Sequence, residues 1–479
     1  MSPYSAAPAR ALDAPAPKPA PAPAPARTMD ARTRRLLESP IFGILVRLAL
    51  PNIAVMVAQA ATGLIETYFI GRLGTDALAG VSMVFPAVML MQMMSAGAMG
   101  GGISSAVARA LGAGRRADAD DLVLHALIIS VVFGIAFMLA LLPGGPWLYR
   151  AMGGSGPSLA AALTYSNVVF AAGILIWVFN SLGNVLRGTG NMIVPATVTC
   201  VGVVVLVPLS PCLIFGWGPF PRLGVAGGAY ALIAYYAAGS AALAAYLWSS
   251  RGVLRPRLFG VALRWSLFRE ILRVGLVAAF STIQTNLTVA ITTGLIGSFG
   301  TAAIAGYGVG SRLEYLLVPL VFGLGAPLVA LVGTSVGAGQ HQRALRVAWA
   351  GAAIAFVLTE TIGVAAAIWP TAWLSLFDTD PNMLAAGAAY LREVGPAYGL
   401  FGLGMALYFA SQGAGRLLWP VLAGTVRLVI ATGGGYAWLA WTGRLDHVFY
   451  ALAAALVVFG AINAAAVLAG VWFRGRPSA

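Results

Sequence analysis

IGRLGTDALAG at residues 70–80 returns as IGSFGTAAIAG at 296–306. Two more pairs repeat in step with it: ARALGAG at 108–114 with GTSVGAG at 333–339, and Gly188-Thr189-Gly190 plus Pro195 with Gly413-Ala414-Gly415 plus Pro420. The offsets are 226, 225 and 225 residues. Small-residue motifs recur in any closely packed helical bundle, but three at nearly one offset point to a duplicated unit.

What fills that unit is apolar. Of 479 residues, 59% are hydrophobic and 9% charged, with a mean hydropathy of +0.86. Soluble domains carry roughly a quarter charged residues, so a water-soluble enzyme is excluded, with or without a single anchor. Stretches able to cross roughly 30 Å of hydrocarbon recur at about 42–70, 78–108, 122–142, 159–183, 193–216, 226–249, 272–296, 302–334, 345–370, 385–412, 418–441 and 449–472. An even number of spans separates the repeat copies, so both halves insert in the same orientation. The predicted fold is an all-α integral membrane protein of twelve transmembrane helices. They form two six-helix bundles related by a pseudo-twofold axis along the membrane normal, with a path between them. The divisions are a disordered Pro/Ala-rich cytoplasmic tail (1–38), an N-terminal bundle (39–250), a basic cytoplasmic linker (251–271) and a C-terminal bundle (272–479).

The net charge of +14 comes almost wholly from arginine, since Lys18 is the only lysine. With the N-terminus inside, cytoplasmic segments hold Arg109, Arg115, Arg116, Arg187, Arg251 to Arg273, Arg343, Arg346, Arg416, Arg474 and Arg476. Outer loops hold Arg72, Arg150, Arg222 and Arg444. This asymmetry is the positive-inside pattern of a multi-pass plasma (inner) membrane protein with both termini cytoplasmic, and it explains the charge better than nucleic acid does. A monomer in the lipid bilayer is assumed. Cys200 and Cys212 stand about 18 Å apart along one helix, too far to bond. His125, His341 and His447 are scattered, which leaves a metal site almost no ligands. No lysine follows a glycine-rich loop, so there is no P-loop. No cofactor is expected, and a gradient or a partner must supply the energy.

Charges inside spans cost a few kcal/mol and are rare without purpose. Glu66 stands without a second charge at its depth in the first bundle, which suits it to bind and release a coupling ion; the alternative is a Glu reaching the outer interface. In the second bundle Arg312, Glu314, Glu360 and Arg427 sum to zero charge. They read either as a rearranging network or a second cation site, or as fixed pairing that holds three helices. Arg392 and Glu393 read as an interfacial pair. MVFPAVMLMQMMSAGAM at 83–99 holds six of fourteen methionines, side chains suited to accepting many shapes, and Pro86 is placed to bend the helix there. Met83 and Met94 share one side of it. Gln59, Tyr68, Trp177, Gln284, Tyr307 and Tyr398 are further candidates for lining a cavity, equally readable as packing residues. Asp118, Asp120 and Asp121 form the one acid cluster, which motivates an integral-membrane transferase using Mg²⁺ as the rival class. Neighbouring arginines and a helix start at that point favour a structural role.

Leu50-Pro51 with Gln59, IETYFIGRLGTDALAG, SSAVARALGAGRRADA at 104–119, LRGTGN at 186–191, LIFGWGPFPRLGVAGGAYA at 213–231 and SVGAG at 335–339 together resemble the multidrug and toxic compound extrusion (MATE) transporters, over nearly everything after about residue 40. The DinF-like branch is the closer match. The resemblance implies two bundles around a cleft and secondary active export of amphipathic, often cationic, drug-like small molecules in exchange for H⁺ or Na⁺ by alternating access. It places Glu66 at the family's first-helix acid. One branch carries an acid in the seventh span where this chain has GLV at 275–277 and then Gln284; another has an Asp and an Asn in the fifth span where this chain offers Ser210 and Leu206. These departures favour H⁺ over Na⁺. A lipid or lipid-linked saccharide flippase of the wider superfamily is the alternative within transport.

Overall fold

The computed structural model describes residues 29–249, 251–257 and 260–473. Eleven of its helices are long and apolar enough to cross a membrane: Ile41–Gly71, Thr75–Gly112, Arg116–Ala151, Ile193–Phe215, Val225–Leu247, Trp265–Gly297, Thr301–Gly337, His341–Ile368, Pro381–Ala414, Leu418–Thr442 and Leu445–Leu468. The pair Gly156–Ala171 and Gly173–Gly188, bent by 49°, makes the twelfth. Counted in chain order these are spans 1 to 12, with the bent pair as span 4, and the chain is a multi-pass membrane protein.

The duplicated motifs owe their glycines to backbone shape. Gly74 and Gly300 open spans 2 and 8 at φ 117° and 97°, and Gly190 and Gly415 close the turns after spans 4 and 10 at φ 77° and 71°. A side chain at such angles is strained. Equivalent turns in the two halves therefore require equivalent glycines.

Cores form along the repeat, with one exchange. Ile70, at the end of span 1, packs with spans 2 to 6, whereas Ile44, Leu45 and Ala49 near its start pack with residues of spans 8 to 10. Span 7 mirrors this: Leu267 and Ile271 near its start belong to the first half's core. Each half thus lends the other the beginning of its leading helix. Asn52 of span 1 fixes the crossing by donating to the carbonyls of Phe322 (3.1 Å) and Gly323 (3.2 Å) in span 8.

The halves meet closely toward the end that carries most arginines. Ser105 donates to the Gly413 carbonyl at 3.0 Å, and Arg109 donates to Ser105 and to the same carbonyl (3.3 Å). A methyl on Gly112 would sit 2.1 Å from the Thr334 carbonyl oxygen, and one on Gly337 2.2 Å from that of Arg109. Missing side chains let backbones touch there. Further along the seam Ala98, Val274, Ala278, Ala279 and Leu417 form a small apolar cluster, with Met94 against it.

Several expectations change. Residues 1–28 of the expected tail, like Arg474 and Arg476, lie outside the described residues, but Ala31–Glu38 is a helix. Asp30 caps it, accepting from Arg32 N (2.9 Å) and Thr33 N (3.0 Å), and Leu36 and Leu37 are buried beneath it. Span 2 is α-helical through Pro86; its irregularity is a π-helical stretch at Met93–Met99. The linker is strapped to span 3 through the acid cluster. Arg264 pairs with Asp118 (2.7 Å) and Asp121 (2.8 Å), and Arg255 N donates to Asp120 (2.7 Å). These two carboxylates hold Arg264 charged above even its ordinary range. Two of the three aspartates thus hold a guanidinium and the third a backbone N–H of the linker. Among the described residues no ion pair joins Arg392 to Glu393, because successive helical residues do not face each other.

Candidate functional site

Span 1 turns Glu66 into the first half. Tyr165 of span 4 donates its hydroxyl to Glu66 Oε1 at 2.8 Å. Gly228 of span 6 leaves the carboxylate its room, since a Cβ there would stand 3.3 Å from that oxygen. Among the described residues no ion pair reaches Glu66. Its charge, when present, is met by a hydroxyl and not by a cation.

A chain of amides and hydroxyls lies beside it. Tyr236 is close enough to Glu66 to sense its charge and accepts from Gln92. Asn180 donates to Gln92 Oε1 (3.1 Å) and to Ser95 Oγ (2.8 Å), and Asn184 donates to the Ala96 carbonyl (3.2 Å). Ser95 and Ala96 belong to the π-helical stretch, where the displaced ladder leaves backbone groups for side chains to satisfy. The first half's polar interior therefore runs from Glu66 toward the seam.

The second half builds a related arrangement. Tyr390 of span 10 donates to Glu314 Oε1, and Tyr398 donates to the Tyr390 hydroxyl at 3.3 Å. Tyr307 sets its ring edge to face against Tyr390, centroids 5.2 Å apart. Arg427 of span 11 lies within electrostatic reach of Glu314, its guanidinium over the rings of Phe401 (5.1 Å) and Phe459 (5.7 Å). Aromatic faces stabilise a desolvated cation. Tyr390 stands 225 residues after Tyr165, the repeat offset itself. The carboxylates they hold are not equivalent: Glu66 comes from span 1 and Glu314 from span 8.

The four-residue set divides. Glu314 and Arg427 come together, whereas Arg312 is exposed over the Phe377 ring (5.7 Å). Glu360 accepts from Gly399 N at 2.7 Å, in the first helical turn after the 3₁₀ break Gly395–Ala397 in span 10. A carboxylate there satisfies a backbone donor that the break released. Among the lining candidates, Trp177 is only 1% exposed, its ring 5.2 Å from that of Phe133, so it is core. Gln284 is buried and donates to Thr425 Oγ1 at 2.6 Å. Tyr307 and Tyr398 belong to the Glu314 cluster. Tyr68 is exposed with Arg72 over its ring (5.9 Å), and Gln59 is exposed too. Met83 packs beside Gly154, and Met94 touches both the first half's core and the seam cluster. Ser210 and Leu206, in span 5, are buried, and the Ser210 hydroxyl has no hydrogen-bond partner among the described residues.

Sequence reasoning found the carboxylates and missed the tyrosines and amides that hold them. Tyr165 and Tyr390 carried a readable signal, their shared offset. Gln92 and Asn180 carried none, because uncharged polar residues are common in membrane helices.

The MatE family model matches residues 51–212 and again 278–437, once in each half. The chain belongs to the MatE family. MatE proteins are transporters, not enzymes, which sets aside the transferase. Relatives include the FAD transporter of Shewanella oneidensis, 28% identical over 399 residues, spanning 82% of this chain and 87% of that protein. The "Probable multidrug resistance protein NorM" of Deinococcus radiodurans is 31% identical over 373 residues, 72% and 77% of the two chains. A crystal structure of a MATE protein in its bent conformation superposes with a TM-score of 0.85 at 23% identity, covering 93% of this chain and 99% of that one. The twelve-helix, two-bundle MatE fold is shared with it.

Proposed function

We propose that the protein is a secondary active antiporter that exports amphipathic, often cationic, drug-like molecules from the cytoplasm in exchange for H⁺, with Glu66 carrying the proton. One observation carries this reading: Glu66 is held by Tyr165 with no ion pair among the described residues, on a helix whose start packs with the second half and whose end packs with the first. A carboxylate that meets only hydroxyls can be neutralised by a proton without stranding a buried cation. Pro51 lies next to Asn52, at the crossing, and withholds the backbone N–H that would continue the helical ladder there. Protonation that alters the Tyr165 bond therefore acts on a helix with a weakened point at the seam, which couples the proton to opening and closing. The multidrug names of several relatives support the substrate class. The arginine-rich end is cytoplasmic by the positive-inside rule, and the membrane is the inner one.

One proton moving down about 100 mV supplies about 2.3 kcal/mol, enough for roughly fiftyfold accumulation of a neutral substrate at one-to-one exchange. A second reading, export of the anionic dinucleotide FAD, is favoured by the similarity to the Shewanella oneidensis transporter. Proteoliposomes loaded with a fluorescent cationic dye and placed under an imposed pH or Na⁺ gradient test the proposal. Dye movement driven by pH and lost in Glu66→Gln supports it. Na⁺-driven movement that survives the substitution, or FAD movement without dye movement, overturns it.

A further inference from the structure

The helix Ala31–Glu38 is fastened to the second half through a donor that its own sequence lacks. Pro40 stands four residues after Leu36 and has no N–H, so the Leu36 carbonyl at the helix end has no helical partner. Arg343, in the first turn of span 9, takes that place. Its Nη2 donates to the carbonyls of Leu36 (2.9 Å) and Ser39 (2.6 Å), and its Nε donates to Leu36 at 3.3 Å. A cation at a helix C-terminus also complements the helix dipole. Below the helix, Leu36 is part of the second half's core.

Leu36 touches the first half as well. A Cβ on Gly190 would stand 2.7 Å from one Leu36 methyl and 3.0 Å from the other, so the bare glycine is what admits the leucine. Thr189, Gly190, Asn191 and Met192 are all buried, although they form the turn that follows span 4. The duplication does not reproduce this contact: beside Gly415 the corresponding space holds the Arg109 guanidinium, 3.0 Å away. One helix, added ahead of the repeat, is thus carried by the second half and seated on the first.

We propose that the helix Ala31–Glu38 is a strap across the seam, which favours closure of the arginine-rich end and whose contact with Gly190 breaks when that end opens. Arg343 and the core beneath Leu36 move with the second half, and Gly190 moves with the first. A contact made only while the halves are together shifts the population toward the closed state by its own free energy. The inference rests on the alternating-access part of the proposed function but not on Glu66 or the coupling ion, and its test reads distances without transport.

Two spin-label measurements on the full chain in phosphatidylcholine nanodiscs, with Cys200 and Cys212 changed to Ser, test it. Labels on Ala117→Cys and Ala469→Cys read the separation of the halves at that end; a single label on Arg35→Cys reads the mobility of the strap. Arg343→Ala should mobilise the strap and lower the ratio of closed to open populations on the order of tenfold. Leu36→Ala should act in the same direction. Arg346→Ala, three residues further along span 9 and exposed, should leave both readouts unchanged. The proposal is overturned if the strap is freed while the distances stay as they were, if neither Arg343→Ala nor Leu36→Ala frees it, or if Arg346→Ala opens the halves as much as Arg343→Ala does.

Discussion

Glu66 and Glu314 are each held by a tyrosine hydroxyl, and the two tyrosines occupy the same place in the two repeats. Around Glu66 the remaining partners are uncharged, whereas Glu314 has Arg427 within electrostatic reach, itself bedded on Phe401 and Phe459. Duplication supplied one scaffold, and the charges placed on it diverged. A carboxylate without a cation can change protonation state at little electrostatic cost to its neighbours. One with a guanidinium in reach shares its surroundings with a second charge, so a proton added to it would leave that cation less compensated. The two halves therefore differ in what a proton on the carboxylate would leave behind.

The sharpest way to break this contrast is to neutralise each acid in turn. Glu66→Gln should abolish pH-driven dye efflux from proteoliposomes while leaving thermal stability intact; Glu314→Gln should keep the dependence on the pH gradient. Equal loss of coupling in both would show that the halves share the proton. Next in size, Arg427→Ala removes the guanidinium that sits over Phe401 and Phe459 within electrostatic reach of Glu314 and should cost about 1–2 kcal/mol, read as a fall in melting temperature in detergent. The double variant Arg427→Ala with Glu314→Gln should recover only the electrostatic part of it. No substitution of one cation should do the same at Glu66.

The tyrosines sharpen the comparison further. Tyr390→Phe removes a hydroxyl that donates to Glu314 and accepts from Tyr398, and should destabilise by about 1–3 kcal/mol. Tyr165→Phe should mainly displace the pH profile of transport, because Glu66 loses the direct donor it has among the described residues; an unchanged profile would detach Tyr165 from the coupling step. The smallest effect belongs to Glu360→Gln. A neutral oxygen can still accept from Gly399 N, so the loss should be about 1 kcal/mol, with transport unchanged.

Much of the fold is legible in the chain because its causes are local. Apolar length fixes a span, and left-handed glycines fix the turns that bound it, so Gly74 with Gly300 and Gly190 with Gly415 announced the duplication. The helix at Ala31–Glu38 escaped notice beside a Pro/Ala tract, although Asp30 is an ordinary helix cap. The site was half legible. Charged residues stand out against an apolar background, so Glu66, Glu314 and Arg427 were found. Arg312 and Glu360 were grouped with them on depth alone, and depth does not say which way a side chain points. Trp177 looked like a lining residue because an aromatic ring serves a cavity or a core equally well.

By itself, then, the sequence determined the spans, their number, the repeat and the short roster of intramembrane charges, since each depends on neighbours within a turn or on composition over about twenty residues. Only the tertiary structure decided that spans 1 and 7 begin in the opposite half's core, that Tyr165 and Tyr390 reach their carboxylates, and that Leu36 meets Gly190 across the seam. These are contacts between residues far apart in the chain. They follow from how the helices cross, which the small residues at the seam permit and which no local pattern encodes.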